Sequence, residues 1–299
     1  MEKGRDGLVP VVTLPVINRR RFVGWLTALC FCFAAWEVAA QDIRLPNAAE
    51  SVKFGVIGDS GTGDKPQYEV AAQMLRYRAK FVFDRVIMLG DNIYGGQTPA
   101  DINAKFTQPY KGLVDAGVTF YAALGNHDSV ENRLVPGFHM GGERYYTHAT
   151  GNVRFFVIDT DLLDPKQIEW LEAGLKAPTE DWKIAYFHHP LYSDGGTHGS
   201  DVALRVVLEP LFLKYGVTVV FAGHDHIYER ITPQKGITHF VSGSAGQLRR
   251  GDLRRTAMTA AGFDQDCSFM LVEVVKNDLS FQAVSRTGLV VDAGTIHKP

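Results

Sequence analysis

The sequence predicts an α/β fold in a single domain whose strands fall into two sheets, and three observations lead to that class. Short β-branched runs of strand length recur along the chain, helical patterns separate several of them, and the stretch from Ile237 onward is poor in helix. With 299 residues, 45% of them apolar, there is enough chain to bury a sizeable core.

The first forty residues stand apart. Arg19, Arg20 and Arg21 precede an uncharged, mostly apolar run from Phe22 to Trp36, followed by Glu37 and the small residues Ala39 and Ala40. A basic region, a greasy core and small residues near a cleavage point are the layout of an export signal over residues 1–40, leaving a mature chain of residues 41–299. The apolar run is shorter than a membrane span needs, although an uncleaved anchor is the alternative. Asn18-Arg19-Arg20-Arg21-Phe22-Val23 also resembles the twin-arginine motif that exports folded proteins, with an ordinary signal and a chance arginine triplet as the competing reading. The expected location is periplasmic or secreted.

These forty residues hold five of the 31 basic and three of the 33 acidic side chains, so the remainder carries a net charge of about −4. That balance gives no footprint for nucleic acid. Cys30 and Cys32 lie inside the signal, which leaves Cys267 alone and no internal disulfide in the mature chain. A monomer with no stable membrane span is expected.

Strands are expected at Val52–Ile57, Phe83–Leu89, Thr119–Leu124, Val153–Ile158, Lys183–Phe187, Val217–Ala222, Ile237–Val241, Phe269–Val275 and Leu279–Val284. Helical patterns cover Gln67–Lys80, Pro165–Leu175 and Asp201–Tyr215. Asp164 and Pro165 suit a helix start, and Pro210 should kink or divide the last helix. The strands after Ile237 read as antiparallel and complete a second sheet. No repeat, low-complexity tract or Pro/Gly/Ser linker divides residues 41–299.

Five polar clusters follow five of these runs: Gly58-Asp59-Ser60-Gly61, Gly90-Asp91-Asn92-Ile93-Tyr94, Gly125-Asn126-His127-Asp128, His188-His189-Pro190 and Gly223-His224-Asp225-His226. Each lies at the carboxyl end of a strand, where open α/β sheets gather their ligands. A leading glycine in four of them lets the backbone turn so that the next side chain points away from the sheet edge. Two aspartates, a tyrosine, an asparagine and several histidines make an oxygen and nitrogen donor set without thiolate, suited to Fe, Mn or Zn. So many donors exceed the needs of one ion. Two ions about 3.5–4 Å apart, bridged by a carboxylate, would use them, and such pairs drive displacement at phosphorus.

In this order and at these spacings the five clusters resemble the signature of the binuclear metallophosphoesterases of the calcineurin-like superfamily, and more narrowly of the purple acid phosphatases of the tartrate-resistant type. The likeness spans nearly all of residues 52–245. General metallophosphoesterases have a histidine two residues after the first aspartate; here Gly61 occupies that place, and Tyr94 fills the vacancy. The resemblance implies a two-sheet β-sandwich flanked by helices, an αββα arrangement. It implies Asp59, Tyr94 and His226 as ligands of Fe(III), Asp91 as the bridge, and Asn126, His188 and His224 as ligands of a second divalent metal, Fe, Zn or Mn. His188 rather than His189 is the ligand, since the family places it two residues before the proline. His127, oriented by Asp128, and His198 resemble the histidines that contact phosphate or the leaving group.

The implied activity is that of a metal-dependent acid phosphatase on small-molecule phosphate monoesters, with in-line attack by a hydroxide generated at the ions and His127 and His198 as general acids. A phosphodiesterase or nucleotide hydrolase on the same scaffold is one alternative; a non-hydrolytic di-iron redox or metal-holding protein is the other. His127 argues against the latter, because holding metal needs no leaving-group acid. The long plant-type architecture with a preceding β domain is not expected. The short stretch from Asp159 to Glu169, and Gly199 where some mammalian relatives carry a cysteine, argue against control by loop cleavage or disulfide reduction.

Other residues read as ordinary. The glycines at 55, 58, 61 and 63 do not fit a nucleotide-binding loop. His139, His148, His239 and His297 match no pattern. Tyr145 and Tyr146 are assigned either to the pocket mouth or to a strand surface, and Arg249, Arg250, Arg254 and Arg255 to a solvated loop.

Overall fold

The computed structural model describes residues 42–177 and 180–298; the export signal expected over residues 1–40 lies outside them. In chain order the elements begin with β1 (Val52–Ile57), α1 (Lys65–Arg78), β2 (Arg85–Leu89), α2 (Pro99–Ile102), α3 (Gln108–Asp115), β3 (Thr119–Ala123), β4 (Tyr146–Thr150) and β5 (Val153–Val157). They continue with α4 (Pro165–Lys176), β6 (Trp182–Phe187), α5 (Val202–Tyr215), β7 (Val219–Ala222), β8 (Tyr228–Ile231), β9 (Thr238–Ser242), β10 (Thr259–Phe263), β11 (Ser268–Val275), β12 (Asp278–Ser285) and β13 (Val290–His297).

Two mixed sheets result. The first has the order β13-β12-β11-β1-β2-β3, with β1, β2 and β3 parallel; the second has the order β10-β8-β9-β7-β6-β5-β4, with β5, β6, β7 and β9 parallel. The period-2 alternation of side chains explains how the sheets stack. Val153, Phe155 and Val157 of β5 point into a core between the sheets, where they meet Phe54, Val56, Ile87 and Leu89. Phe156, between them in sequence, points the other way and packs under α4 and α5 with Leu171, Leu175, Leu208 and Phe212. A third core lies on the outer face of the first sheet, where Val70, Met74 and Tyr77 of α1 and Tyr110 and Leu113 of α3 cover Val86, Met88 and Phe120. Helices therefore flank both sheets of a single domain, and central strands buried on two faces read as nearly continuous apolar runs.

The strands after Ile237 do not form a sheet of their own. Two of them, β9 and β10, join the second sheet, whereas β11, β12 and β13 extend the first one antiparallel from β1. Four strands have no counterpart in the sequence reading: β4, β8, β10 and β13. Three of these are sheet edges, and their sequences, such as Tyr-Thr-His-Ala-Thr in β4, lack the apolar run that marks a strand buried on both faces.

The helix starts follow local chemistry. The Asp164 carboxylate accepts the Gln167 N–H at 2.8 Å ahead of Pro165, and Asp201 caps α5 by accepting the Leu204 N–H at 2.9 Å. Pro210 does not divide α5, which runs unbroken through it. Pro210 and Val206 both lie on the exposed face, so water can take the Val206 carbonyl that the missing amide leaves unpaired. Among the described residues no helix is long and apolar enough to cross a membrane.

Candidate metal centre

Parallel neighbours β1, β2 and β3 in one sheet, and β5, β6 and β7 in the other, bring the loops at their carboxyl ends to one side of the domain. The residues after β1, β2, β3, β6 and β7 meet there. Two donor groups form. On one side the Tyr94 hydroxyl lies 3.2 Å from Asp59 Oδ1 and 3.1 Å from His226 Nε2, and those two atoms are 3.3 Å apart. On the other, His188 Nε2 lies 3.0 Å from Asn126 Oδ1, 3.1 Å from His224 Nδ1 and 3.5 Å from Asp91 Oδ1. Ligand atoms at bond lengths of about 2.1 Å around a six-coordinate ion are roughly 3 Å from one another. Both groups show that spacing, so the residues present fit a cation on each side with Asp91 between them.

The supporting shell is built from backbone and glycine. The His224 N–H donates to Asp59 Oδ2 at 2.9 Å, the His127 N–H donates to Asp91 Oδ1 at 2.9 Å, and His188 Nδ1 pairs with the Leu89 carbonyl at 2.9 Å, which leaves Nε2 to face the other donors. Asp59, Asp91 and His224 adopt left-handed backbone, with φ of 53°, 50° and 68°; such conformations cost energy and collect at functional sites. A side chain at Gly223 would come within 2.4 Å of Asp59 Oδ2, and one at Gly125 within 2.5 Å of Asp91 Oδ1. These two glycines leave the room that the carboxylates occupy.

Gly61 has a sharper role. Its Cβ would sit 1.9 Å from the Asn92 carbonyl oxygen, because the segment bearing Tyr94 lies directly on it: Gly61 N–H donates to Asp91 O at 3.2 Å and Tyr94 N–H to Gly61 O at 2.9 Å. A histidine at position 61 and the Tyr94 segment in this place exclude each other sterically.

Asp128 does not orient the His127 ring. Its carboxylate accepts the N–H groups of Asn92, Ile93 and Gly125 at 3.0–3.1 Å and the side-chain amides of Asn92 and Asn132 at 2.8 and 3.1 Å. It thereby ties the loop of Asp91 to the loop of Asn126. Asp128→Ala leaves these donors without their acceptor and should lower stability by about 2–3 kcal/mol; an unchanged midpoint in urea unfolding would contradict this.

Electrostatically the cluster is poised for cations. Burial, and then the neighbouring Asp91, hold the Asp59 carboxyl well above its usual range. Burial followed by Asp59 and Asp91 does the same to the Tyr94 phenol. Burial pushes the imidazoles the other way: His188 far down, His224 to about 2 and His226 to about 4, with Arg249 the next cause for His226. Neutral imidazoles with free lone pairs beside crowded oxygen donors are the state that metal binding needs.

His127 and His198 are exposed at the rim on opposite flanks. The ring of His127 is centred 4.7 Å from that of Tyr94, and the ring of His198 is 4.0 Å from that of His224. Three features escaped the sequence. His189 is no bystander: its ring lies 4.4 Å from that of His224, its Nδ1 is 3.0 Å from the Thr160 hydroxyl, and it joins His188 and His224 in a group spaced to hold an ion. The His-His pair itself was the available signal. Asp225, fully buried between two ligand positions, accepts the Ser193 hydroxyl at 2.5 Å and the Gly199 N–H at 3.1 Å, which anchors the loop of His198. The arginine-rich stretch is not simply a solvated loop either, since Arg254 donates to the Gly196 carbonyl at 2.6 Å in that same loop.

Tyr146 belongs to β4 and donates to the Ala122 carbonyl, while Tyr145 packs on Trp170; both are structural. His148 is stacked between Tyr121 and Phe155, and His239 is buried against Tyr192. A cleft of about 240 Å³ opens beside Asn126, lined in part by Leu124, Val130, Arg144, Asp161 and Leu162.

The chain is similar in sequence and fold to several known proteins. Purple acid phosphatase 4 of Arabidopsis thaliana is 27% identical over 278 residues, covering 79% of this chain and 80% of the relative. Human tartrate-resistant acid phosphatase type 5 is 25% identical, covering 83% and 93%. Among solved structures, a purple acid phosphatase from yellow lupin seeds superimposes with a TM-score of 0.70 at 21% identity, over 85% of this chain and 55% of that one. GAP50, described as the anchor in the inner membrane complex of Plasmodium, gives 0.74 at 19% identity over 83% and 89%. The same architecture thus carries both an enzyme and a protein named as an anchor, and the site rather than the fold must decide the chemistry. The profile of the Calcineurin-like phosphoesterase family matches residues 52–228, which span the loops of all five polar clusters as far as His226, and the chain belongs to that family.

Proposed function

We propose that the chain is an exported acid phosphatase that hydrolyses phosphate monoesters. In this reading Asp59, Tyr94 and His226 hold Fe(III), Asn126, His188 and His224 hold a divalent Fe, Zn or Mn, and Asp91 is shared. The observation that carries it is the Tyr94 hydroxyl within 3.2 Å of Asp59 Oδ1 and 3.1 Å of His226 Nε2, in a family whose general members use histidine where this chain has Gly61. A hard, strongly charged cation is what can draw a proton from a phenol that its surroundings otherwise keep protonated.

Cations bound there would supply the Lewis acidity that lowers the pKa of water and offsets charge on phosphate oxygens. The chain supplies the rest. The Asp91 carboxylate, fixed by the His127 N–H, spans the two donor groups. His127 and His198, exposed on either flank, hold protons for the leaving oxygen, and the cleft beside Asn126 gives a small leaving group a place to lie. Export is supported by Arg19–Arg21 ahead of the apolar run from Phe22 to Trp36.

Metal analysis with a visible spectrum tests the reading. Two ions per chain and an absorption band that disappears in Tyr94→Phe are expected, together with much faster turnover of an aryl phosphate monoester than of a bis-aryl diester. A colourless protein with one ion would refute the ligand assignment; faster diester cleavage would favour the phosphodiesterase alternative. His198→Ala should slow esters with poor leaving groups more than activated ones.

A further inference from the structure

Residues 247–249 run along the backbone of the centre. The Gln247 N–H donates to the Asp59 carbonyl at 3.0 Å, and the Arg249 N–H donates to the His226 carbonyl at 3.0 Å. Two arginines further along this stretch are occupied, Arg254 on the Gly196 carbonyl and Arg255 on the Gly262 carbonyl. Arg249 differs. Its Nη1 is buried yet has no hydrogen-bond partner, and among the described residues no carboxylate pairs with its guanidinium.

A buried N–H on a charged group is costly to leave unpaired, so its acceptor is expected to come from outside the chain. The backbone bond from Arg249 to the His226 carbonyl sets this positively charged residue beside donors suited to cations. Two like-signed centres at such range repel unless an anion lies between them. Guanidinium is the group best shaped to grip phosphate oxygens, by two parallel N–H bonds.

We propose that Arg249 is a phosphate-binding residue of this centre, taking a non-bridging phosphate oxygen on the side of Tyr94 and His226. The proposal rests on the phosphatase reading for its substrate, a phosphate monoester dianion, but not for the binding itself. The dianion gains more from this contact than a singly charged diester does, which makes Arg249 a determinant of specificity.

The test is calorimetric titration of the metal-loaded full chain with inorganic phosphate, comparing the parent with R249Q, which keeps length and removes charge, and R249K, which keeps charge and removes the fork. Metal content is measured alongside. R249Q should weaken phosphate binding by about 10–100-fold, with R249K in between, and KM for an aryl monoester should rise by a similar factor while that for a diester moves less. Equal phosphate affinity in the parent and R249Q at equal metal content overturns the proposal. If R249Q weakens phosphate binding but the metal-loaded parent hydrolyses no ester, the phosphatase reading falls and the anion site stands. Active enzyme whose phosphate affinity ignores Arg249 has the opposite meaning.

Discussion

Asp91→Ala is expected to lower turnover at least about a thousandfold and to release at least one ion per chain, because the carboxylate that lies between the two donor groups is gone. The same substitution should raise the melting temperature of the metal-free protein. Asp59 is fully buried, and its pKa is raised first by that burial and next by Asp91; removing Asp91 relieves the second cause. The sign can be followed through pH. A carboxyl whose folded pKa lies above its unfolded value of about 3.8 contributes most below that pH, and the contribution is lost as pH rises through the folded pKa. Asp59 by itself should therefore cost the metal-free parent stability as pH rises above about 4, against the opposite contribution of His188, His224 and His226, whose lowered pKa values favour the folded state as pH rises toward 6.5. The loaded protein should lose less, since cations offset the buried negative charge, and metal-free Asp91→Ala should fall between the two. Thermal melts of the three samples across pH check this. A metal-free variant less stable than its metal-free parent would mean that the bond from the His127 N–H matters more than the repulsion.

Gly61→Ala should be nearly as damaging although it adds one methyl group. That methyl would lie 1.9 Å from the Asn92 carbonyl oxygen, 2.1 Å from its carbon and 2.4 Å from the Ile93 nitrogen. All three are backbone atoms, which cannot rotate away as a side chain can. The segment must move bodily, carrying Asp91 and Tyr94 with it. The expected cost is about 3 kcal/mol, or a fall of roughly 6–12 °C in melting temperature. The absorption band assigned to Tyr94 should go as well. A variant that keeps both its melting temperature and that band would show that the Tyr94 loop does not depend on Gly61. Tyr94 in this position is thus tied to the absence of a side chain more than thirty residues earlier, a dependence that links two of the five clusters.

The separate clusters were legible from the sequence because each follows a buried strand, and a strand packed on both faces announces itself as a run of Val, Ile, Leu and Phe. That fixes the carboxyl end of the run, and a glycine with polar neighbours there can only be a turn. The clusters that hold Asp59, Asp91, Tyr94, Asn126, His188, His224 and His226 were located by their strand ends, the one with His188 without a leading glycine; the family resemblance picked these seven out of them, and the structure brings all seven into the two donor groups. The edge strands β4, β10 and β13 were not found, since an edge draws its stability from hydrogen bonds to a strand remote in sequence and needs no apolar run of its own.

What the sequence determined by itself, then, is local: where strands end, which donors stand at those ends, and that a glycine rather than a histidine follows Asp59. Only the tertiary structure decided the relations between distant segments. It gave β11, β12 and β13 to the first sheet, set Asp128 to join two ligand loops instead of steering His127, drew His189 into contact with His224, and anchored the His198 loop on Asp225. The physical reason is that strand pairing and buried hydrogen bonds are satisfied by whichever partner the packed sheets bring near, and nothing in the spacing of residues along one chain records that partner.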